Sequence, residues 1–414
     1  MRTDFDILIA GGGLVGSCLA ALLVHETAFD DLDIAVLEAN PPQMPPPDDQ
    51  VDLRVSAISR ASQRILEHVG AWQRIEAQHQ SAYREMVVWD ASGQADGSAS
   101  VRFSSAETAE PDLGHIVENR RIAWSLAETP ALTERVTPLN ASLAGLELEP
   151  EHVRVTLDDG RRFTTALVVG ADGASSASRR LAGIEMAGWD YEQRAVVAHV
   201  ATERSHASTA WQRFLPNGPI ALLPLGDGRS SIVWTTTPGH ADTLLAADDE
   251  SFAAAVGEAC DHVLGAVRAN GPRAAFPLAS KYALHYSKPG FVLVGDAAHV
   301  VHPLAGQGVN LGFMDCAALV QTLAQAYVID GDVAALRRSK TLRSYERWRK
   351  SENLLAMGLI DGIGKLFRSR DPAFVSLRAA GMGIVDRSGF VKRALVARAL
   401  GLAGDVPAIV RAAR

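Results

Sequence analysis

The chain has 414 residues, which is more than one small domain requires. Hydrophobic residues make up 47% of the sequence and charged residues 21%, so the composition is that of a globular protein and excludes wholesale disorder. The formal net charge of −8 argues against a general nucleic-acid-binding protein, because neutralising a phosphate backbone needs a basic surface.

The charge is unevenly distributed along the chain. Residues 337–414 contain 17 Lys and Arg against 6 Asp and Glu, whereas the remaining residues contain 23 and 42. The sequence therefore predicts a basic C-terminal segment on an acidic body.

Several features bear on the cellular compartment. The three cysteines lie far apart and form no C-x-x-C pair, which favours a reducing cytosol over a disulfide framework. Asp4 and Asp6 interrupt any signal-peptide pattern, and no run of about 18 apolar residues is apparent. We expect a cytoplasmic protein whose contact with a membrane, if any, is peripheral at the inner face.

The N-terminal part of the chain has the pattern of a βαβ unit. Asp6–Ala10 and Asp33–Leu37 are short apolar strand candidates, and the Ala- and Leu-rich stretch Leu14–Val24 between them predicts a helix. Residues 41–50 contain too many prolines for a helix or strand interior and predict a surface loop.

The middle of the chain changes character twice. Val153–Leu157 and Arg162–Thr165 flank Asp158-Asp159-Gly160, which predicts a hairpin, and Ala166–Val169 follows as a buried strand. An antiparallel sheet inserted into the α/β protein is then predicted from the strands Ala195–Thr202, Trp211–Leu215, Ile220–Leu225 and Ser230–Thr236, with Glu85–Asp90 as an earlier strand. Phe291–Val294 again has the pattern of a short buried strand, and Asn310–Tyr327 predicts a long helix. Beyond residue 337 the chain is predicted to be helical.

A glycine-rich turn follows the first predicted strand. Gly11, Gly13 and Gly16 have the spacing G-x-G-x-x-G at the start of a helix, and Glu38 ends the next strand. The glycines permit a tight turn and close approach of a pyrophosphate, the helix N-terminus stabilises its charge, and Glu38 could accept hydrogen bonds from a ribose diol. The turn predicts a dinucleotide site, the alternative being an ordinary strand–turn–helix.

Two further loops follow buried strands. By itself, Gly170–Arg179 is typical of a turn with helix-capping serines. By itself, Gly295–His299, together with the glycines up to Asn310, is typical of a structural loop. Asp296 could bind the hydroxyls of a sugar-alcohol chain, and backbone N–H groups at the following helix could face an electron-accepting ring. The three loops together, each at the end of a buried strand, indicate a flavin.

On these motifs the sequence resembles the FAD-dependent aromatic hydroxylases of the para-hydroxybenzoate hydroxylase type, and within them the ubiquinone-biosynthesis hydroxylases. The resemblance extends from residue 6 to about residue 402. It is carried by Gly11–Gly16, Asp52–Ser59, Val117–Asn119, Gly170–Arg179, Gly218–Leu225 and Gly295–Gly312.

The resemblance implies a role for each matching residue. The FAD pyrophosphate would be held by Gly11, Gly13, Leu14, Val15 and Gly16, and the adenosine ribose by Glu38. Arg54 and Asn119 would lie along the pyrophosphate and ribityl chain, Asp296 would bind the ribityl hydroxyls, and Asp172 and Gly173 would meet both FAD and a transient NAD(P)H. The isoalloxazine edge would be contacted by Gly306, Gln307, Gly308, Val309 and Asn310, and Pro303 would lie near the reactive flavin carbon. Outside the resemblance, Arg54 is a surface or salt-bridge arginine and Asn119 a turn or cap residue.

The resemblance also implies an α/β fold in which a Rossmann-like FAD-binding domain is interleaved with an antiparallel substrate domain. We expect residues 1–80, 115–185 and 281–336 in the FAD-binding domain and residues 81–114 and 186–280 in the substrate-binding sheet. Residues 337–414 form the basic C-terminal helical segment.

The implied reaction is hydroxylation of the ring of a polyprenylated phenol or benzoquinol in ubiquinone biosynthesis. A stably bound nicotinamide usually needs a second G-x-G-x-x-G after a strand, which the sequence lacks, so NAD(P)H is expected to bind transiently. Reduced flavin would trap O₂ as a C4a-hydroperoxide and transfer one oxygen atom. A polyprenyl reductase or dehydrogenase, or a non-catalytic FAD-binding subunit of a quinone-synthesis complex, are the alternatives.

Candidate catalytic residues are few. His299 and His302 could handle protons beside the flavin, together with Pro303 near the reactive carbon, although structural hydrogen bonding explains the two histidines equally well. The other histidines form no recognisable metal-ligand set, and Asp315 is expected to be structural.

The basic tail contains a candidate amphipathic helix. In Val391–Leu402, the residues Val391, Leu395, Ala399 and Leu402 share one face, with Lys392, Arg393 and Arg398 elsewhere. Such a helix could lie on an anionic membrane, or it could pack on its own body or on an acidic partner of a ubiquinone-synthesis complex.

Overall fold

The computed structural model describes residues 3–46, 51–303, 306–369 and 371–411. The last part of the predicted proline-rich loop, residues 47–50, and residues 304 and 305 of the third predicted loop lie outside this range.

The regular elements alternate between strands and helices up to residue 337 and are helical afterwards. The strands are β1 (Phe5–Ala10), β2 (Ile34–Leu37), β3 (Val55–Ile58), β4 (Ser81–Tyr83), β5 (Glu85–Asp90), β6 (Ser100–Ser104), β7 (Gly114–Glu118), β8 (Val136–Leu139), β9 (Leu143–Leu148), β10 (Val153–Leu157), β11 (Arg162–Gly170), β12 (Met186–Thr202), β13 (Thr209–Leu215), β14 (Gly218–Pro224), β15 (Ser230–Thr236), β16 (Val267–Ala283), β17 (Ser287–Lys288), β18 (Phe291–Leu293) and β19 (His299–Val300). The helices are α1 (Leu14–His25), α2 (Arg60–His68), α3 (Asn119–Ala127), α4 (Pro130–Arg135), α5 (Ala177–Leu181), α6 (Pro238–Ala246), α7 (Asp249–Ala259), α8 (Gly308–Asp330), α9 (Ala334–Arg337), α10 (Ser339–Arg368), α11 (Pro372–Arg387) and α12 (Gly389–Ala399).

The first sheet has the strand order β17-β18-β11-β1-β2-β8, and the five strands from β18 to β8 run parallel. Its central strands are fully buried apolar runs such as Ile7–Ile9, as expected for a parallel sheet covered on both faces. The predicted hairpin is confirmed, since β10 pairs antiparallel with β11 and Val153 lies opposite Thr165. Because β1, β11 and β18 are neighbours and parallel, the loops that follow them lie at one edge of the sheet.

Helices α1 and α8 pack against each other beside this sheet. Cys18 and Cys316, distant in sequence, bring their thiols into contact at this packing, and both side chains are buried. Among the residues that the structure describes, α8 alone is long and apolar enough to span a bilayer by length and composition. It packs against α1, α2 and α10 with its middle buried, so it is a core helix.

The second sheet has the order β19-β16-β12-β15-β14-β13-β5-β6. Burial alternates along β14, and α6 and α7 supply a separate apolar core around Phe252 and Val256. The sheet differs from the prediction in two ways: it contains the unpredicted strands β6, β16 and β19, and β5 runs parallel to β13, with Glu85 opposite Thr209. No tight hairpin joins these two strands, so nothing in their connection imposes an antiparallel pairing.

The mixed α/β fold with a Rossmann-like sheet, a second sheet and C-terminal helices is confirmed. Two small elements cross the predicted domain boundaries. Strand β4 pairs with β7 in a third sheet that also contains β3, and β19 joins the second sheet. The division into domains stays a prediction.

The orientation of α12 differs from the predicted apolar face. The helix ends at Ala399, and it buries Lys392 and Val396 while Leu395 is exposed. The Lys392 ammonium faces the body of the protein, where its Nζ lies 3.0 Å from Glu107 Oε1. This acidic partner for the buried Lys392 explains the orientation, which hydrophobic periodicity alone would not give.

Candidate active site

A cleft of about 830 Å³ opens at the edge of the first sheet where β1, β11 and β18 end. All three predicted loops contribute to its walls. The predicted residues that line it are Gly11, Gly13, Leu14, Val15, Glu38, Arg54, Asn119, Asp172, Gly173, Asp296, Gly308 and Val309.

The first loop is shaped by its glycines. Gly11 has a φ of +105°, and a Cβ on Gly16 would lie 1.8 Å from the Gly11 carbonyl oxygen, so the turn and α1 approach each other more closely than any side chain allows. Gly13 is the N-cap of α1 and lines the cleft, and a Cβ added to it would have no other atom of the described protein within 4 Å. No side chain caps α1, so its first N–H groups are available to an anion in the cleft.

Glu38 is positioned by the same loop. Its carboxylate accepts hydrogen bonds from the backbone N–H groups of Gly12 at 2.8 Å and Asn40 at 2.9 Å. A Cβ on Gly12 would lie 2.8 Å from Glu38 Cβ, so this glycine is also required, which the motif spacing did not indicate. The sequence feature that could have indicated the role of Gly12 is the uninterrupted run of three glycines, Gly11-Gly12-Gly13.

Arg54 and Asp296 face the cleft from different elements. Arg54 ends the segment before β3, and its carbonyl accepts from the Asn119 N–H at 2.9 Å. Neither the Arg54 guanidinium nor the Asp296 carboxylate has a hydrogen-bond partner among the described residues. Burial raises the pKa of Asp296, while His299 and Arg54 act to lower it. Both groups are therefore available to a ligand.

The second loop is braced internally and against the third. Asp172 accepts hydrogen bonds from Ser178 N at 2.8 Å and from the hydroxyls of Ser176 and Ser178. The buried Arg179 donates from Nη1 to the carbonyl of Ala297 at 2.8 Å. Arg179 thus links two of the three loops, a role that its place in the sequence motif did not reveal.

Asn310 braces the third loop from outside the cleft. Its Nδ2 donates to the carbonyls of Ala57 at 2.8 Å and Gly306 at 2.9 Å, and its Oδ1 accepts from the Ser59 N–H. The loop is thereby tied to β3. The remaining predicted cofactor residues that do not line the cleft are Gly16, Pro303, Gly306 and Gln307.

His299 does not face the cleft. It is fully buried, and its Nε2 lies 2.5 Å from Asp315 Oδ2, while Arg349 Nε donates to Asp315 Oδ1 at 2.8 Å. Burial by itself raises the pKa of Asp315, but His299 and Arg349 outweigh it and lower the pKa to about 2. Asp315 also accepts from the Gly295 N–H at 3.1 Å, so this cluster holds the third loop. The geometry gives His299 the position of a structural hydrogen-bonding residue beside the third loop, which was the alternative to its predicted role in proton handling.

His302 lies in a second, smaller pocket between the second sheet and α10. The pocket contains the aromatic side chains Tyr191, Phe214 and Phe367, which lie outside the sequence motifs, and Gly218 and Pro219 of the Gly218–Leu225 motif. The rings of Tyr191 and His302 meet edge to face with centroids 4.8 Å apart. Burial lowers the pKa of His302 to about 4, so the imidazole is neutral at pH 7. Pro303 is the next residue and leads towards the cleft.

The cleft fits FAD on the chemistry of its donors and acceptors. It offers an uncapped helix N-terminus for a pyrophosphate, a carboxylate at the end of β2 for a ribose, and unpartnered charges on Arg54 and Asp296 for the connecting chain.

Comparisons with known proteins agree with this arrangement. A family model described as "FAD binding domain" matches residues 4–352. The chain is 36% identical to the human ubiquinone biosynthesis monooxygenase COQ6, with 95% of this chain and 92% of the relative covered. It is 35% identical to the 3-demethoxyubiquinol 3-hydroxylase of Escherichia coli, covering 96% and 98%, and 37% identical to the ubiquinone hydroxylase UbiL of Rhodospirillum rubrum, covering 98% and 92%.

Solved structures share the fold at lower identity. The p-nitrophenol 4-monooxygenase PnpA of Pseudomonas putida has a TM-score of 0.74 at 18% identity, covering 97% of this chain and 99% of that one. PqsL of Pseudomonas aeruginosa has a TM-score of 0.72 at 21% identity, covering 91% and 99%. From the family match and the full-length relatives, the chain belongs to the FAD-dependent monooxygenases of ubiquinone biosynthesis.

Proposed function

We propose that this chain hydroxylates the ring of a polyprenylated phenol or benzoquinol intermediate of ubiquinone biosynthesis, with O₂ as the oxygen source and NAD(P)H as the electron donor. One observation carries the proposal. The three glycine-rich loops line one cleft of about 830 Å³ that offers a helix N-terminus, a carboxylate at the end of β2 and the Arg54 and Asp296 side chains to FAD, which supports flavin chemistry at this edge of the sheet.

The cleft residues divide the binding of FAD among them. The first turn of α1 would bind the pyrophosphate, and Glu38 would accept from the adenosine ribose. Arg54 and Asn119 would hold the connecting chain, Asp296 its hydroxyls, and Gly308 and Val309 the ring edge. Asp172 and Gly173 would meet the cofactor and a transient NAD(P)H. When bound, FAD supplies the activation of O₂ and the transfer of oxygen to the substrate ring.

The aromatic pocket has a volume of about 10 Å³, which is room for about one water molecule, so a substrate ring would enter it only after its walls move apart. The Tyr191 hydroxyl donates to Asp361 Oδ1 at 3.2 Å, and Arg368 Nη1 donates to Gln193 Oε1 at 3.0 Å. Burial raises the pKa of Tyr191, so its hydroxyl stays protonated at neutral pH. The polar groups are thus held at the rim, while Phe214 and Phe367, whose rings stack at 3.8 Å, exclude water.

The basic C-terminal segment, residues 337–414, would bring the enzyme to a substrate that resides in a membrane. It would do so either at the membrane surface from the cytoplasmic side or through an assembly of ubiquinone-synthesis proteins.

The stoichiometry of the reaction tests the proposal. With a short-chain methoxy-methyl-benzoquinol, the holoenzyme should consume equimolar NAD(P)H and O₂ and release an equimolar hydroxylated quinol, identified by mass spectrometry. Reduction of the flavin by the quinol without oxygen would instead identify a reductase or dehydrogenase. Bound FAD without any product from a series of quinols would identify a non-catalytic subunit.

A further inference from the structure

The aromatic pocket is nearly closed. Its walls come from two sides, the second sheet with Tyr191, Gln193 and Phe214, and the C-terminal half of α10 with Asp361 and Phe367. Sites for small molecules commonly have volumes of about 300–1,000 Å³. The volume of this pocket is about 10 Å³, so a ring enters only if one of the two walls moves.

The wall formed by the second sheet is held by backbone hydrogen bonds. Strand β13, which carries Phe214, pairs with β14 on one side and with β5 on the other. Strand β14 pairs in turn with β15. Displacing this wall would break a ladder of backbone hydrogen bonds, so we take it as the fixed wall.

The wall formed by α10 is held to the sheet by side-chain contacts. Asp361 Oδ1 accepts from the Tyr191 hydroxyl at 3.2 Å, and Arg368 Nη1 donates to Gln193 Oε1 at 3.0 Å. A hydrogen bond between side chains adds little net stability, because both groups can bond to water instead. The end of α10 is therefore the wall that can move.

Two glycines of α10 lie where the helix begins to line the pocket. A Cβ added to Gly358 or Gly362 would have no described atom within 4 Å, so packing among the described residues does not require glycine at either position. A glycine inside a helix is less favourable than alanine because its backbone is freer to leave the helical conformation. The two glycines thus place a flexible point at the start of the stretch 360–368, which lines the pocket.

Arg378 of α11 holds the end of α10. Its Nη1 donates to the carbonyls of Phe367 at 3.0 Å and Ser369 at 2.8 Å, and the last carbonyls of a helix lack partners within the helix itself. Its Nε lies 2.7 Å from Asp90 Oδ2, and the two side chains are only 9% and 1% exposed. Such a buried ion pair fixes the position of Arg378, because leaving either charge unpaired is costly.

The contacts of Arg378 close a circuit beside the pocket. Asp90 ends β5 and lies opposite Phe214 in the pairing of β5 with β13. The rings of Phe214 and Phe367 stack with their centroids 3.8 Å apart, and the Arg378 guanidinium lies 5.8 Å from the centre of the Phe367 ring. Asp90 thus holds Arg378, which holds Phe367 against the strand partner of Asp90. We call Asp90, Phe214, Phe367 and Arg378 the α10 latch.

The pocket and the FAD cleft share the third loop. His302 lines the pocket, and Gly308 and Val309 line the cleft. A ring admitted by a movement of α10 would therefore be bound against the same loop as the cofactor.

We propose that the end of α10, residues 360–368, is a gate that bends at Gly358 and Gly362 to admit the ring of a phenol or quinol between Phe214 and Phe367, and that the α10 latch closes it. The inference rests on the proposed function for the identity of the ring. Asp90 and Arg378 are positioning residues in this gate, because they act on the ring through Phe367.

The rate of ring binding tests the gate on the full-length holoenzyme. The probe is a short-chain methoxy-methyl-benzoquinone, whose binding to the oxidised enzyme is followed by stopped-flow quenching of protein fluorescence. Gly358→Ala/Gly362→Ala stiffens α10 without a collision with described atoms, so the association rate constant should fall at least fivefold while the midpoint of thermal unfolding does not fall. A purely structural role of the two glycines would not slow binding in a variant that is at least as stable.

Release of the α10 latch should have the opposite effect. Asp90→Asn/Arg378→Leu removes both buried charges together, so neither is left unpaired, and it should raise the association rate constant at least fivefold. FAD content and the midpoint of thermal unfolding verify the fold, and if this variant does not fold, the glycine variant decides alone. The control is Gly239→Ala in α6, where an added Cβ also has no described atom within 4 Å, and it should leave the rate unchanged.

The outcomes separate the gate from the proposed function. The inference is overturned by a wild-type rate in Gly358→Ala/Gly362→Ala, by equal slowing in Gly239→Ala, by a rate that does not rise in folded Asp90→Asn/Arg378→Leu, or by a wild type that does not bind the quinone. Hydroxylation of a short-chain quinol by the wild type tests the proposed function independently. If product forms while the association rates do not respond, only the gate is lost. If the rates respond as expected and no product forms, the gate stands and the proposed function fails.

Discussion

At the residue scale, Gly13 and Gly16 have different reasons for being glycine. The methyl group of an alanine at position 13 would meet no described atom of the protein, but it would project towards the expected place of the pyrophosphate. Gly13→Ala should therefore change the unfolding free energy of the flavin-free protein by less than about 1 kcal/mol. The same substitution should weaken FAD binding about tenfold. Alanine at Gly16 collides with the Gly11 carbonyl, so Gly16→Ala should cost about 1–3 kcal/mol of stability as well as FAD binding. Urea unfolding and fluorescence titration with FAD measure the two effects. Unchanged FAD affinity in Gly13→Ala would place the pyrophosphate elsewhere.

The buried carboxylate of Asp315 gives a prediction about pH. Its pKa lies below the ordinary value, so the charged form contributes stability at neutral pH that is lost as the pH falls from about 4 to about 2. Asp315→Asn leaves Arg349 and His299 without their anion and should cost about 3–5 kcal/mol at pH 7, a difference from the wild type that shrinks over the same acid range. Urea unfolding at several pH values measures it.

Asp330→Asn is the matched control, because this exposed carboxylate lies at the end of the same helix and pairs with Arg338. It should change the unfolding free energy by less than about 1 kcal/mol. If Asp315→Asn were no more harmful than Asp330→Asn, the cluster would not be holding the third loop.

At the element scale, α12 has two sides with different tasks. Leu400, at its end, is 3% exposed, contacts the cluster around Leu113, and its carbonyl accepts from the Ala61 N–H at 3.0 Å. Leu400→Ala should therefore cost about 2–5 kcal/mol, whereas Leu395→Ala on the exposed side should stay within about 0.5 kcal/mol of the wild type. Urea unfolding compares the two, and equal costs would mean that the helix does not pack as described.

The same packing bears on how membrane contact is measured. Deleting residues 388–414 removes the buried Val396, Leu400 and Val410 together with the exposed apolar residues. Loss of vesicle binding in such a deletion would therefore reflect unfolding as well as a lost contact. Substitutions on the exposed side separate the two effects.

The elements that could be predicted from the sequence are those with local signals. Glycine spacing after buried strands gave all three cleft loops, and Asp158-Asp159-Gly160 gave the hairpin. The parallel pairing of β5 with β13 and the inward turn of Lys392 depend on partners more than 100 residues away in sequence, Thr209 and Glu107, which no local pattern contains. Propensity and periodicity cannot specify such pairs.

The candidate site shows the same division between local and distant signals. The motifs contained the predicted residues that line the cleft, but they did not reveal the roles of Gly12 and Arg179 or that an aromatic pocket forms around His302. Arg179 acts through the carbonyl of Ala297, 118 residues further along the chain, and the pocket joins side chains of the second sheet to the end of α10. These contacts exist only in the folded chain.

At the scale of the whole molecule, α10 connects the parts. It contacts α8 beside the first sheet and the β13 and β14 strands of the second, and it lines the aromatic pocket. The family match, which runs to residue 352, already includes its first half. The first half of α10 thus belongs with the FAD-binding part of the chain, to which Arg349 and Asn353 connect it through Asp315.

The cluster around Asp315 has a consequence for biosynthesis of the protein. Arg349 and Asn353 reach Asp315 from α10, and Asp315 in turn holds Gly295 beside the cleft. A nascent chain that has emerged only to the end of α9 has all three glycine-rich loops but lacks the cation that balances this carboxylate. We therefore expect a polypeptide that ends after α9 to take up the coenzyme poorly, so the yellow flavoprotein would form only once Arg349 and Asn353 have been synthesised.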